Sequence, residues 1–214
     1  MTEFKTEKNH LDVSSLVWYE DQKIMWAGRI DDSISRSHPY DKEVGWRNKE
    51  YVENLKKLIK EKVKFSEFLM DIGPWDGFYF PFYFDTLNVK KIIGVDICDN
   101  MLSELEKKHR LTKEQFQGVK VEAVPNLPEV KSYSVDTVIS IDSLTRATRE
   151  QIVAYSREIE RVLTKKGTFI LHLVMEESMQ KLGPIEHLGQ SYITNRKEVE
   201  RIFSWANTLE YHDI

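Results

Sequence analysis

A single cysteine, Cys98, in 214 residues excludes an internal disulfide, a Cys-X-X-Cys redox pair and a cysteine-rich zinc site. Long apolar runs are also missing. No segment is apolar enough to span a bilayer, and MTEFKTEKNH lacks the apolar stretch of a signal peptide, so a cytoplasmic protein with no membrane partner is expected. The histidines at 10, 38, 109, 172, 187 and 212 are dispersed and form no His-Glu-X-X-His pair, and no metal is expected. Excess positive charge is absent too. Lys and Arg number 31 against 35 Asp and Glu, and the net charge of −4 argues against electrostatic capture of nucleic acid. Lysines 56, 57, 60, 62 and 64, and Lys107, Lys108 and Arg110, sit among acids on helical stretches and read as solvated faces.

What is present suits one α/β domain. A 41% hydrophobic fraction beside 31% charged residues can bury a core and describes neither a disordered nor a membrane chain. Residues 1–47 are polar but rich in aromatics (Trp18, Tyr19, Trp26, Tyr40, Trp46) and show no sustained period; they read as an extension or lid packing on a main domain of residues 48–214. From Asn48 to Lys64 the apolar Tyr51, Val52, Leu55, Leu58, Ile59 and Val63 recur at helical spacing.

The chain then alternates. Strands are expected over Phe68–Ile72, Lys91–Asp96, Val119–Ala123, Ser134–Ile141 and Gly167–Val174, with helices over Phe78–Leu87, Asn100–His109, Arg149–Leu163 and Arg196–Asn207. Strict alternation predicts a doubly wound, mostly parallel sheet with helices on both faces. Gly167 after Thr164-Lys165-Lys166 reads as a helix stop with cations at the negative end of the dipole.

In an open parallel sheet ligands bind beyond the carboxyl ends of the strands. The first strand there runs into Asp71-Ile72-Gly73-Pro74-Trp75-Asp76-Gly77, where two glycines allow a sharp turn and close approach to a ligand. A dinucleotide fingerprint needs Gly-X-Gly-X-X-Gly, and Trp75 occupies its second glycine position. Asp71 suits a positively charged ligand better than a diphosphate. The second strand ends at Asp96, a carboxylate able to accept both hydroxyls of a ribose.

These motifs resemble the class I, Rossmann-like methyltransferases from about residue 50 to the C-terminus. DIGPWDGFYFPF is similar to their first motif, GVDICDNML to their second, NLPEVKSYSVDTVISIDSLT to their adenine loop and fourth strand, and ERVLTKKGTFIL to their following helix and fifth strand. The Trp-Asp-Gly-Phe loop also resembles a subset that includes relatives of tRNA wobble-uridine modifying methyltransferases. The resemblance implies S-adenosylmethionine as cofactor and S-adenosylhomocysteine as product. It places Asp71 and Gly73 at the methionine moiety, has Gly77 permit close approach, counts Pro74 and Trp75 among the cofactor-binding residues, and sets Asp96 on the ribose and Ile97 on the adenine. Glu122 is the nearest acidic residue for the adenine amino group, although an ungapped alignment through Leu127-Pro128 puts Ala123 there. Asn126 and Leu127 are expected to contact adenine, and Ile141 and Asp142 to lie beneath the sulfonium or beside the acceptor. The family's final antiparallel strand is not evident after residue 207.

Methyl transfer from a sulfonium is an in-line displacement from an activated leaving group, so alignment does much of the work and a base helps only a protic acceptor. Asp142, His172 and His187 are candidates. His172 lies inside the expected fifth strand, as core or edge histidines do, and His187, in a loop that often covers substrate, is preferred. Strand four is followed by Ile141-Asp142-Ser143-Leu144-Thr145-Arg146 and not by the Asn-Pro-Pro-Tyr type sequence of base N-methyltransferases. Arg146 is placed to pair an acidic substrate. Gln190 and Tyr192, with Tyr19 and Trp26, form a candidate lid. The expectation is a small-molecule O- or N-methyltransferase, monomeric or homodimeric; the alternatives are a tRNA methyltransferase and a non-catalytic cofactor-fold binding module.

Overall fold

The computed structural model describes residues 49–122, 125–175 and 195–212. In chain order its elements are α1 (Lys49–Lys62), β1 (Phe68–Ile72), α2 (Phe80–Leu87), β2 (Lys91–Asp96), α3 (Asp99–Lys108), β3 (Phe116–Lys120), β4 (Val135–Ser140), a 3-10 turn (Leu144–Arg146), α4 (Arg149–Val162), β5 (Leu163–Leu171) and α5 (Arg196–Ile202). The strands form one sheet in the order β3-β2-β1-β4-β5, every pairing parallel. Its topological switch lies between β1 and β4, where connections leave in opposite directions and a crevice opens at the strands' carboxyl ends.

Each face of the sheet carries its own core because side chains alternate along a strand. On one face Leu69, Ile92 and Ile139 pack against Val52, Leu55 and Ile59 of α1, Phe80 and Tyr83 of α2, and Leu102 and Leu105 of α3. On the other, Met70, Ile72, Val95 and Val138 meet Ile152, Tyr155, Ile159 and Val162 of α4 and Val199 of α5. The same alternation sets Asp71 and Asp96 on the α1–α3 face, two residues beyond Leu69 and Gly94, with His172 two beyond Ile170. Three polar residues at the carboxyl edge therefore share one side of the sheet. Burial of Val52, Leu55 and Ile59 contributes roughly 1.5–3 kcal/mol per side chain, which fixes α1 over that edge.

Several boundaries differ from expectation. Helix α2 begins at Phe80, not Phe78: Gly77 O accepts Phe80 N–H at 2.9 Å, and Pro81, which has no N–H to lose, sits in the first turn. Strand β3 is Phe116–Lys120 instead of Val119–Ala123, because Phe116 is a core residue whose ring packs tilted against Phe80; Val121 N–H still reaches Asp96 O at 2.9 Å. Helix α4 stops at Val162 and the chain passes directly into β5, where Val135 faces Leu163 but Thr137 faces Thr168. Gly167 thus belongs to a strand irregularity and is not a helix stop. Helix α5 ends at Ile202, after which Phe203 turns in to stack on Phe169 and Trp205 packs tilted against it, at 5.3 and 5.2 Å between ring centroids. Among the described residues the sheet has five strands and no antiparallel member. The expected extension, residues 1–47, lies outside them.

Candidate functional site

The loop after β1 is built from left-handed backbone. Gly73 and Gly77 have φ of +70° and +71°, and Trp75, φ +51°, shares the region at a cost of about 1 kcal/mol or more for a residue with a Cβ. Gly73 N–H donates to Val95 O at 2.7 Å and Gly77 N–H to Pro74 O at 2.9 Å, which ties the loop to β2 and closes its turn. The close approach that these glycines allow is first of all to protein. A Cβ on Gly73 would stand 2.0 Å from Ser143 Oγ, and one on Gly77 2.6 Å from His109 Nε2. Asp76 anchors the loop from within: its carboxylate accepts Phe78 N–H at 3.1 Å and Lys108 Nζ at 3.0 Å, while its carbonyl accepts His109 Nε2–H at 2.8 Å. Lys108, exposed as a solvated face predicts, also clamps the buried Asp76. Asp71 and Pro74 are buried at the loop's base, and Gly73 and Trp75 keep open surface.

Beside this loop, Asp96 ends β2. Its Oδ1 accepts Cys98 N–H at 2.9 Å, and burial pushes the carboxyl up to about 6 although backbone N–H groups of Cys98 and Ile97 pull the other way. The residue nonetheless keeps part of its surface open, as does Ile97. A desolvated carboxylate with spare acceptor capacity at an opening is stabilised by a ligand that brings hydroxyl donors.

The next segment divides. Glu122 is exposed and reaches Lys120 Nζ at 3.1 Å, Asn126 is exposed, and Ala123 lies outside the described residues. Leu127, expected at adenine, is fully buried; its N–H donates to Glu158 at 2.9 Å and its carbonyl accepts Arg161 at 2.7 Å. The Glu158–Arg161 pair of α4, with Arg161 also donating to Val130 O, folds this loop onto the opposite face. Leu127 is therefore core.

At the ends of β4 and β5 the structure assembles a polar cluster from three elements. Ile141 is buried; Asp142 follows with φ +58°, and its carboxylate accepts His172 Nδ1–H at 2.7 Å and, at a long 3.4 Å, the Tyr51 hydroxyl of α1. His172 N–H donates to Ser140 O at 2.9 Å, which extends the β4–β5 ladder to this histidine. Ser143, next to Asp142, fills the space above Gly73, so the cluster adjoins the glycine loop. Tyr51, Ser143, Lys108 and His109 were not singled out as site residues by the sequence; Tyr51 reads there only as a helical apolar position. Arg146 ends the 3-10 turn after β4. His187, Gln190, Tyr192, Tyr19 and Trp26 lie outside the described residues.

A parallel sheet with a left-handed glycine turn after β1 and an acid ending β2 is an arrangement that suits a nucleoside cofactor at the strands' carboxyl ends. Residues 70–171 match the model of a family described as "Methyltransferase domain". Among solved structures, a cyclopropane synthase from Mycobacterium tuberculosis aligns with TM-score 0.59 at 14% identity, over 93% of this chain and 75% of that one. A geranyl diphosphate C-methyltransferase from Streptomyces coelicolor A3(2), solved with Mg2+, geranyl diphosphate and S-adenosyl-L-homocysteine, aligns with TM-score 0.58 at 13% identity, over 87% and 78%. A SAM-dependent methyltransferase from Aquifex aeolicus aligns with TM-score 0.53 at 21% identity, over 71% and 78%. At these identities the likeness to solved structures is one of fold. No curated protein sequence matches the chain. Residues 70–171 thus match a methyltransferase domain, and the fold is that of the class I methyltransferases, whose cofactor is S-adenosylmethionine. No helix among the described residues is long and apolar enough to cross a membrane.

Proposed function

We propose that this chain transfers the methyl group of S-adenosylmethionine to an oxygen or nitrogen atom of a small molecule. The observation that carries the acceptor class is the Asp142 carboxylate, hydrogen-bonded to an imidazole and a phenol beside the glycine loop. Proton-handling groups at that point serve an acceptor that must lose an O–H or N–H proton, whereas an already carbanionic carbon has no such need. A net charge of −4 favours a small acceptor over a nucleic acid.

The residues present fit the cofactor. Asp96 has the spare acceptor capacity that two ribose hydroxyls would use, Ile97 offers an apolar surface to adenine, and Asp71, one residue before the end of β1, stands where a cationic methionine moiety would be neutralised. When bound, the cofactor supplies an electrophilic methyl on a positively charged sulfur. Gly73, Pro74, Trp75 and Gly77 hold the loop that borders it, and Ile141 closes the floor. The remaining contributions are alignment and exclusion of water, assigned to the ends of β1 and β4.

Calorimetric titration with S-adenosylmethionine and S-adenosylhomocysteine tests the cofactor half, with Asp96→Ala expected to weaken both. The acceptor half is tested by formation of S-adenosylhomocysteine in the presence of small phenols, alcohols, carboxylic acids and amines, with unmodified tRNA run in parallel. Turnover on tRNA alone would defeat the small-molecule reading, and absence of binding at millimolar cofactor would defeat the whole of it.

A further inference from the structure

We infer that His172 is the proton acceptor of the reaction, with Asp142 as its positioning residue and Tyr51 steadying Asp142. This rests on the methyltransferase reading above and names the group that would act on its substrate.

The geometry is that of a histidine fixed by a carboxylate. An ionised carboxylate only accepts, so the 2.7 Å contact puts the His172 proton on Nδ1 and leaves the lone pair on Nε2. Nε2 has no hydrogen-bond partner among the described residues, and the His172 side chain is 39% exposed against 17% for Asp142. The acid is the more covered of the pair and the imidazole the more open. Such an arrangement selects the tautomer that can take a proton and stabilises the imidazolium afterwards.

The backbone supports the same assignment. Asp142 holds φ +58° immediately after the strand, a conformation that side chains with a Cβ rarely adopt. Strain of this kind is retained where the surroundings over-determine it, and here Thr145 Oγ1 donates to Asp142 O at 2.8 Å while His172 and Tyr51 hold the carboxylate. Ser143, the following residue, lies against Gly73 and so sets the pair at the wall of the cofactor loop. Among the described residues, the ionisable groups recorded against His172 are Asp142, which follows β4, and, bonded to that carboxylate, Tyr51 from α1; Asp71, the penultimate residue of β1, lies on the same face of the sheet.

In the step assigned to it, His172 Nε2 takes the O–H or N–H proton of the acceptor as the acceptor's lone pair forms the new bond to the methyl carbon. The carbon–sulfur bond breaks with its electron pair remaining on sulfur, so the positive charge lost there reappears on the imidazolium beside the Asp142 carboxylate. His172 then returns its proton to solvent.

The test uses the full chain. In the S-adenosylhomocysteine complex, 15N–1H correlation spectra are expected to show neutral His172 protonated at Nδ1, and Asp142→Asn to abolish that preference. His172→Gln is expected to leave S-adenosylhomocysteine affinity within about twofold and to slow methylation of the accepted phenol, alcohol or amine by about 10²–10⁴-fold at pH 7. Part of that rate should return at high pH, where the acceptor ionises unaided. Tyr51→Phe should have a smaller effect of the same kind. A proton on Nε2, an unchanged rate and pH profile in His172→Gln, or a panel from which no protic compound is methylated would overturn the inference. Failure of the unmodified chain to bind S-adenosylhomocysteine would overturn the underlying reading instead.

Discussion

Lowering the pH from 7.5 to 5 should weaken cofactor binding about tenfold through one carboxyl group, Asp96. Burial holds the free protein's Asp96 at about 6, so the group is almost wholly ionised at pH 7.5 and only about one-tenth ionised at pH 5. A ribose that donates two hydroxyls to the carboxylate favours its charged form and draws the bound value back toward the ordinary carboxylate range near 3.8. Binding below pH 6 must then expel a proton, and the cost is the fraction of carboxyl that has to ionise. Near pH 6 the complex should release about half a proton per cofactor. Calorimetry with S-adenosylhomocysteine in buffers of different ionisation enthalpy reads both quantities. Asp96→Asn, which cannot titrate, should remove this pH dependence and bind at least tenfold more weakly at pH 7.5, since a hydrogen bond to a charged group contributes about 1.5–3 kcal/mol. An affinity that stays flat from pH 7.5 to 5, or proton uptake on binding, would refute the ribose role. The sign for stability runs the other way. An acid raised above its unfolded value costs stability as pH climbs from about 3.8 to about 6, so Asp96→Asn should raise the melting temperature of the free protein at pH 7.5 and do little below pH 4.

Three other substitutions separate the parts of the site. Gly73→Ala combines a left-handed φ with a 2.0 Å overlap on Ser143 Oγ; it should cost about 2–4 kcal/mol in denaturant unfolding, and the double variant with Ser143→Gly should recover part of that loss but not the backbone strain. Lys108→Ala leaves the buried Asp76 carboxylate without its cation and should loosen the glycine loop, seen as faster amide exchange at residues 73–78 and several-fold weaker S-adenosylhomocysteine binding; unchanged exchange there would remove the clamp from the account. Thr148→Ala breaks a reciprocal capping box with Gln151 and should lower stability by about 1 kcal/mol while cofactor affinity stays the same.

The loop after β1 and the acid that ends β2 were legible in the sequence because their requirements are local. A tight turn needs glycine within a few residues of a strand, and strand periodicity fixes the side of each carboxylate, which is why Asp71, Gly73, Gly77 and Asp96 fall at the edge of one sheet face. Boundaries failed where a distant residue decided them. Phe116 starts β3 early because a pocket against Phe80 accepts its ring, and α5 stops early because Phe203 and Trp205 turn toward Phe169. The burial of Leu127 was out of reach for the same reason: its loop is held by Glu158 and Arg161, thirty-odd residues further along the chain, and neighbouring sequence carries no trace of that pair.

The acceptor side was hidden by a stricter limit. Histidine at alternating parity in an apolar strand gives no sign of whether its ring meets a carboxylate, since Asp142 and His172 come from different strands and Tyr51 from a helix that precedes both. Only the parallel pairing of β4 with β5, continued one residue past Leu171 by the His172 N–H to Ser140 O bond, brings the imidazole level with the acid. That dependence makes the register itself testable through chemistry. A residue inserted between Phe169 and His172 would turn the imidazole to the α4 face while leaving the glycine loop and Asp96 in place. S-adenosylhomocysteine should then still bind, and the Nδ1 signature of His172 should vanish. Retention of that signature would mean that the ring is positioned by something other than the strand pairing that carries the argument.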